Sequence, residues 1–359
     1  MLNTLARSTA FIARRSEPHD FQRDPVLANR AVVQHDDLIS GEGIPSSLPA
    51  FFAVSYHIVS IDAPDCSLSC KDGQLTCRSS EGDRQVPLED VSAIIVTSFS
   101  ASIHSKLLLE AAKRGVGLVI CENFKPASLV LPANRATDTL LTRAQAYIPA
   151  QLRDRLWQKT IDAKCHNQFS LAAELAPGDH RLDRLGKLAR GRGKSKEAEC
   201  AKLFWRIYAE HVAETDDFRR RRDGDGPNPL LNYGYAVLLS TVLQKLFAVG
   251  LDPTFGIAHA VREHSTPLAY DLMEPFRPCV DWRVAEWIRR QPDRSDLQVT
   301  REFRRWVTGF PLETVDWFDL TLDVRSVIEG CIRSFRQAVT SNESGPYRPW
   351  TRTTTKWAG

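Results

Sequence analysis

Residues 229–249 read PLLNYGYAVLLSTVLQKLFAV and are apolar on almost every side of a helical projection. A helix that is hydrophobic all round is normally buried, so this stretch predicts a buried helix. Asn232 interrupts the apolar run, and a buried amide needs hydrogen-bond partners, either in the site or in the neighbouring loop. Asn232 and Tyr233 are therefore predicted to support the structure and not to carry catalysis.

Helical periodicity begins near residue 138, whereas residues 51–135 contain short aromatic and β-branched stretches. The pair Asp72-Gly73 is a hairpin signal between two of these stretches. One helix is predicted inside this region, over 102–114, and Gly115 suits its end. The predicted strands are 51–61, 66–70, 75–77, 86–88, 93–96, 116–120 and 129–131, and the later helices are 139–162, 167–175, 196–214, 229–249, 267–290, 298–307 and 312–338.

These patterns predict an α+β fold in which a small N-terminal β-rich domain is followed by a larger all-α domain. The β-rich domain is placed at 51–137 and the helical domain at 138–338. Residues 1–50 show no sustained period and predict a flexible extension. Residues 339–359 are rich in Pro, Thr and Trp and predict a flexible tail.

The chain has 359 residues and a net charge of only +3, which neither requires nor excludes a nucleic-acid partner. No apolar run approaches the length of a membrane span, and the N-terminus lacks the apolar core of a secretory signal, so we expect a cytoplasmic protein. The eight cysteines form no CxxC pair, which favours reduced thiols. GxSxG, Walker and dinucleotide-binding motifs are absent from the sequence.

One imidazole and two carboxylates follow closely on one another at His259, Asp271 and Glu274. The spacing of Asp271 and Glu274 places both on one helical face, where a solvated acidic face is the ordinary alternative. Their neighbours are apolar, however, and buried carboxylates need a cation or strong donors. Pro275 predicts a kink beside them. Oxygen ligands with a single His suit Mg²⁺ or Mn²⁺ better than zinc.

Further acids lie upstream at Glu197 and Glu199, on an apolar helix where only one of them can face inward. Periodicity alone does not choose between the two.

Basic residues lie on both sides of that helix, in 181–196 and 219–222. Clustered Arg and Lys contact phosphate backbones without reading sequence, and plain solvation explains such stretches equally well. The residues that we expect to bind DNA are Arg190, Arg192, Lys194, Arg219, Arg220, Arg221, Arg222 and Arg262.

Four blocks together resemble the CRISPR adaptation integrase family, the nuclease-integrases that insert new spacers. Residues 197–205 look like its Glu-Ala-x-Ala-Ala-x-x-Tyr-Trp helix, with Cys200 and Phe204 as conservative departures. Residues 228–235 resemble its Asn-x-x-Leu-Asn-Tyr-Gly-Tyr block, and 250–259 its Gly-Leu-x-Pro-x-x-Gly-x-x-His block. Residues 271–278 resemble its Asp-Leu-Met-Glu-Pro-Phe-Arg-Pro block. Within that family, the motif sequences are most similar to those of members that accompany type II CRISPR systems.

The resemblance implies a metal-dependent endonuclease and integrase that inserts spacer DNA by 3′-hydroxyl attack on a phosphodiester of a CRISPR repeat. It implies Glu197, His259 and Glu274 as metal ligands, with Asp271 as a supporting member of the catalytic set. It also implies that the β-rich domain forms a homodimer and that the all-α domain is the catalytic domain. A small ferredoxin-like partner protein is implied to bridge two dimers on a double-stranded prespacer.

Two alternatives remain at the level of the sequence. One is a transposase-type integrase with the same chemistry, and the other is a non-catalytic DNA-binding scaffold.

Overall fold

A computed structural model describes residues 11–12, 57–80, 82–122, 124–130, 139–193, 195–215, 218–259, 266–294 and 296–352. The expected extension over 1–50 lies outside these ranges except for one two-residue strand, β1 (Phe11–Ile12). All eight cysteines are buried free thiols, as expected. Among the described residues, no helix combines the length and apolar character that a membrane crossing requires.

The N-terminal part consists of two sheets and one helix, as the β-rich pattern predicts. The first sheet has the order β1, β2 (His57–Ile61), β6 (Val91–Val96), β8 (Gly117–Glu122) and β9 (Lys125–Val130). The second has the order β5 (Gly82–Pro87), β4 (Gln74–Ser79), β3 (Ser67–Lys71) and β7 (Ser102–Ile103). Helix α1 (Ser105–Lys113) begins three residues later than predicted, because Ser102 and Ile103 pair with β3.

The strand pairing follows local signals in the sequence. Asp72 and Gly73 both have positive φ and join β3 to β4 as the predicted hairpin. Strands β2, β6 and β8 run parallel to one another, and all six residues of β6 are buried. In a parallel sheet that is covered on both faces, side chains on both sides of each strand are buried. The strand sequences are therefore continuous apolar runs and do not alternate between apolar and polar residues.

The first sheet separates two apolar cores. Because successive side chains of a strand point to opposite faces, alternate residues enter different cores. Val59, Ile94 and Val96 face the core that lies under α1. Ile58, Ala93 and Ile95 face a second core that they share with the helices.

The C-terminal part contains nine described helices. They are α2 (Thr139–Ala146), α3 (Ala150–Leu175), α4 (Leu182–Arg190), α5 (Lys196–Tyr208), α6 (Asn228–Val249), α7 (Pro267–Met273), α8 (Arg277–Arg289), α9 (Arg301–Thr308) and α10 (Val324–Ser341). The prediction of two helices over 139–162 and 167–175 is wrong in its division. The break falls before α3, at Pro149, and α3 continues to Leu175.

The predicted helix over 312–338 is also wrong in its first third, so this part is not all-α. Strands β10 (Thr314–Trp317) and β11 (Leu320–Asp323) form an antiparallel hairpin there. Asp323 then accepts a hydrogen bond from the backbone N–H of Ser326 and caps α10, which begins only at Val324.

The buried helix predicted over 229–249 is confirmed as α6. It ends at Gly250, whose positive φ of 81° suits the residue that follows a helix. A Cβ added to Gly234 would lie 2.5 Å from the side chain of Val280, so only glycine lets α8 pack this closely.

The expectation of a flexible tail over 339–359 is wrong for residues 342–352. Trp350 and Tyr347 are buried, and the ring of Trp350 stacks on that of Phe276 with 5.7 Å between centroids. The Asn167 side chain donates to the backbone oxygens of Pro275 and Trp350, at 2.7 and 3.1 Å. Large aromatic side chains with satisfied backbone partners favour an ordered segment, and composition alone did not show these partners.

Candidate active site

The helix predicted over 267–290 is divided between α7 and α8 by a single 3₁₀ turn, Glu274–Phe276. Pro275 has no N–H with which to continue the α-helical hydrogen bonds. Glu274 begins this turn, Asp271 lies three residues before it, and both residues are buried. The expected alternative, a solvated acidic face, does not apply to them.

Asp271 holds the segment that carries His259. Its carboxylate accepts hydrogen bonds from the backbone N–H groups of Ile257 at 2.6 Å and His259 at 3.1 Å. Its Oδ1 atom also lies 2.7 Å from the Nδ1 atom of His259. This hydrogen bond raises the pKa of the His259 imidazole. Since Asp271 engages Nδ1, an ion would meet His259 at Nε2.

Gly256 lets the backbone pass close to this carboxylate. A Cβ there would lie 2.8 Å from the backbone oxygen of His259 and 3.0 Å from Oδ2 of Asp271. Any larger residue would push the His259 segment away from Asp271.

Lys164, on α3, brings Glu197 and Glu274 together. Its Nζ atom lies 2.6 Å from Oε1 of Glu197 and 2.6 Å from Oε2 of Glu274. The Glu274 side chain is only 4% exposed, whereas that of Glu197 is 38% exposed and gives the group an open side.

The structure resolves the choice that periodicity left open on α5. Glu197 points toward Lys164, whereas Glu199 accepts a hydrogen bond from the Ser195 hydroxyl at 2.6 Å. Of the two acids, Glu197 is therefore the one that lies beside Glu274.

Glu274 has the electrostatic character of a metal ligand. Burial alone would raise its pKa, but Arg277 and Lys164 beside it hold the pKa below its usual value. Its Oε2 atom is buried and accepts no hydrogen bond of normal geometry from any described residue. An ionised oxygen without a directed donor fits the ligand set of a hard divalent ion.

A more compact group of ligand-type residues lies elsewhere, at Asp179, Glu210 and His211, whose ligand atoms are all within 4.8 Å of one another. The guanidinium of Arg181 donates to both Asp179 and Glu210, and its hydrogen bond lowers the pKa of Asp179. Together with Arg181, these residues form an ion-pair network that links the segment before α4 to the end of the α5 segment. Within the described ranges, the predicted triad is less compact, because Lys164 stands between two of its members.

The predicted DNA-binding residues that the structure describes are of two kinds, exposed and half-buried. The segment around Arg190 contains α4, a helix that the sequence analysis did not predict. Arg220 is half-buried and anchored to α6: it donates to Oδ1 of Asn228 at 2.9 Å and to Oδ1 of Asn232 at 2.7 Å. Lys194 and Arg262 lie outside the described residues. The exposed members are Arg190, Arg192, Arg219, Arg221 and Arg222.

Asn232 and Tyr233 occupy supporting positions. The Asn232 amide donates to the backbone oxygen of Arg222 at 2.9 Å and thereby fixes the basic loop to α6. The Tyr233 hydroxyl donates to Oγ of Ser60 at 2.7 Å and ties α6 to β2.

Sequence reasoning missed Lys164 and the part played by Arg277. Lys164 is flanked on α3 by buried residues, Ala163 and Cys165 next to it and Asn167 and Gln168 one turn on. A lysine on the buried face of a helix needs a carboxylate partner, so helical periodicity carried a signal for it.

Comparison with known proteins gives one consistent family. The model of the family described as CRISPR associated protein Cas1 matches residues 59–305. The endonuclease Cas1 of Neisseria meningitidis is 32% identical over 224 residues, which cover 60% of this chain and 71% of that protein.

Two solved structures share the fold. A casposase bound to an integration product has a TM-score of 0.66 and 22% identity, with 81% of this chain and 94% of that chain covered. A Cas6-RT-Cas1–Cas2 complex has a TM-score of 0.69 and 16% identity, with 86% of this chain and 37% of that chain covered. Both therefore support the β-sheet part followed by a helical part.

Proposed function

This chain belongs to the family of CRISPR-associated Cas1 proteins, and on that premise we propose that Glu197, His259 and Glu274 form a divalent-metal site for DNA strand transfer. The chain is a spacer-integrating endonuclease and integrase. One observation carries the metal site: two carboxylates from distant helices, Glu197 and Glu274, meet around a single positive charge. Carboxylates converge in this way where a cation belongs.

The donor set suits Mg²⁺ or Mn²⁺. It offers two carboxylate oxygens and one imidazole, with an open side at Glu197 where water or phosphate oxygens would complete six ligands. A bound ion would polarise the phosphate and lower the pKa of the attacking 3′-hydroxyl. In the transfer itself, the 3′-oxygen bonds to a repeat phosphorus, the original ester bond breaks, and the departing oxygen takes up a proton.

The residues of the chain prepare this step. Asp271 fixes the tautomer and direction of the His259 ring through Nδ1. Arg277 keeps Glu274 ionised from the side away from Lys164, through a contact of 2.8 Å to Oε1. These contacts orient the three ligands before DNA arrives, so little reorganisation is needed when it binds.

DNA would reach the site over the exposed arginines at the end of α4 and in the loop before α6. Phosphate contacts of this kind position a duplex without reading its sequence. The substrates that we propose are a prespacer duplex and the CRISPR repeat.

We place the homodimer contact in the β-sheet part. For the second protein, the small ferredoxin-like partner, Cas2 is the candidate, because a related structure is a Cas1–Cas2 complex. The cytoplasm is the compartment in which the chain would meet the CRISPR array.

The test is transfer of a labelled 3′-hydroxyl duplex into a supercoiled plasmid that carries the repeat, with the partner protein and Mn²⁺ or EDTA. Glu197→Gln should abolish the joined product, whereas Glu199→Gln, two residues further along the same helix, should retain it. Both variants should bind DNA as the wild type does. Product that survives Glu197→Gln would refute the site, and a plasmid with transposon ends in place of the repeat tests the transposase alternative.

A further inference from the structure

Glu274 contacts two cations, one through each oxygen, and the two contacts differ in kind. Arg277 reaches Oε1 at 2.8 Å, and its guanidinium also lies over the Tyr235 ring, 4.7 Å from the centroid. A guanidinium that is both paired and stacked is held in one place. Lys164 reaches Oε2 at 2.6 Å, and neither of these two contacts to Glu274 has hydrogen-bond geometry.

Lys164 is also the only contact that joins Glu274 to Glu197 among the described ion pairs. Without a cation between them, a buried and a half-buried carboxylate would repel each other. An ammonium is a compact point charge on a flexible stem of four carbons, so it can leave such a position by side-chain rotation alone. Arg277 can not do so without losing its stack on Tyr235.

We propose that Lys164 is a resident cation: its ammonium stands between Glu197 and Glu274 until a divalent ion takes that place, and binding of the ion displaces it. This inference rests on the proposed metal site and adds that the Lys164 ammonium and the divalent ion compete for it. The carboxylates are thereby held together in the metal-free protein, which folds with its ligands already in place. The same competition weakens the affinity for the ion.

The first test measures Mn²⁺ binding to the full-length protein by the electron paramagnetic resonance signal of free Mn²⁺. Lys164→Met removes the competing charge, so the affinity should rise by about tenfold or more, since charges at this distance interact by several kcal/mol in a partly buried site. Lys202→Met, which removes an exposed lysine from the Glu197 helix, should leave the affinity unchanged.

A second test needs no substitution at Lys164, in case that variant does not fold. Acetic anhydride labels accessible lysines, and mass spectrometry reports the label at each residue. Labelling of Lys164 in the wild type should increase severalfold with Mn²⁺ over EDTA, whereas labelling of Lys202 should not change.

The outcomes separate the two hypotheses. If Glu197→Gln loses Mn²⁺ binding but Lys164→Met binds no more tightly than wild type, or Lys164 labelling does not increase, the metal site stands and the displacement is wrong. If Glu197→Gln binds Mn²⁺ as the wild type does, the metal site is wrong and the displacement fails with it.

Discussion

The carboxylate of Asp271 makes two hydrogen bonds with His259. One joins it to the Nδ1 atom of the ring at 2.7 Å, and the other to the backbone N–H at 3.1 Å. Asp271 is completely buried, whereas the His259 side chain is about a quarter exposed. One acid thus sets both the position of the His259 backbone and the direction of its ring. We therefore predict that Asp271 is a positioning residue that acts through His259.

Asp271→Asn should lower Mn²⁺ affinity or strand transfer by about 10- to 100-fold, the usual cost of losing the partner of a ligating histidine. The amide has one acceptor oxygen in place of two, so it cannot satisfy all the N–H groups that converge there. Asp183→Asn, at an exposed position on α4, serves as control. Unchanged metal affinity in Asp271→Asn would contradict this role.

The packed segment 342–352 yields a stability prediction. Trp350→Ala should lower the free energy of unfolding by about 3–5 kcal/mol, because it removes a fully buried ring from its stack on Phe276. Phe318→Ala, which truncates an exposed aromatic residue on the β10–β11 hairpin, should change it by about 0.5 kcal/mol or less. Urea denaturation measures both, and equal effects would show that residues 342–352 do not pack as described.

Two neighbouring arginines should behave differently on substitution. Arg221→Ala should leave stability unchanged and reduce the salt dependence of DNA binding by about one phosphate contact, because the side chain is exposed. Arg220→Ala should cost about 1–3 kcal/mol of stability, since it leaves the buried amide oxygens of Asn228 and Asn232 without a charged donor. Thermal unfolding and binding isotherms at several salt concentrations distinguish the two. If both variants lose only DNA binding, Arg220 is not anchored to α6.

The pKa of the buried Asp281 carboxyl determines part of the pH dependence of folding stability. Burial raises its pKa from 3.8 to about 7, despite the hydrogen bond that it accepts from Tyr235. The folded protein therefore keeps a proton that the unfolded chain releases above its lower pKa, so stability falls as pH rises from about 4 to about 7.

Asp281→Asn cannot release this proton and should lack this decline, so its stability relative to wild type should increase across the same window. The increase approaches about 1.4 kcal/mol per pH unit. Urea midpoints measured from pH 4 to 8 check the slope. Parallel pH profiles for the two proteins would mean that Asp281 titrates normally.

Local sequence signals predicted much of the fold. The all-round apolar stretch of α6 and the Asp72-Gly73 turn each depend on neighbours in sequence, and each was predicted correctly. The hairpin before α10 was missed although apolar and polar residues alternate in it, because its two four-residue strands lie directly before the helix. The order in 342–352 was missed because it depends on Asn167, a residue far away in the chain.

The candidate site shows the same division. Its acids and histidine stand in recognisable blocks, whereas Lys164 lies on a helix that none of the blocks includes. An ion pair between residues that are far apart in the chain leaves no local pattern in the sequence. Only a charged residue on an otherwise buried helical face indicates it, and the identity of its partner depends on the fold.

The packing of Trp350 on Phe276 also has a consequence for synthesis of the chain on the ribosome. The turn that carries Glu274 emerges well before residues 342–352, which cover it through Asn167 and the stacked rings. We therefore expect Phe276 to stay exposed in a nascent chain until that later segment has been made. The geometry proposed for DNA joining should be complete only when residues 342–352 have docked.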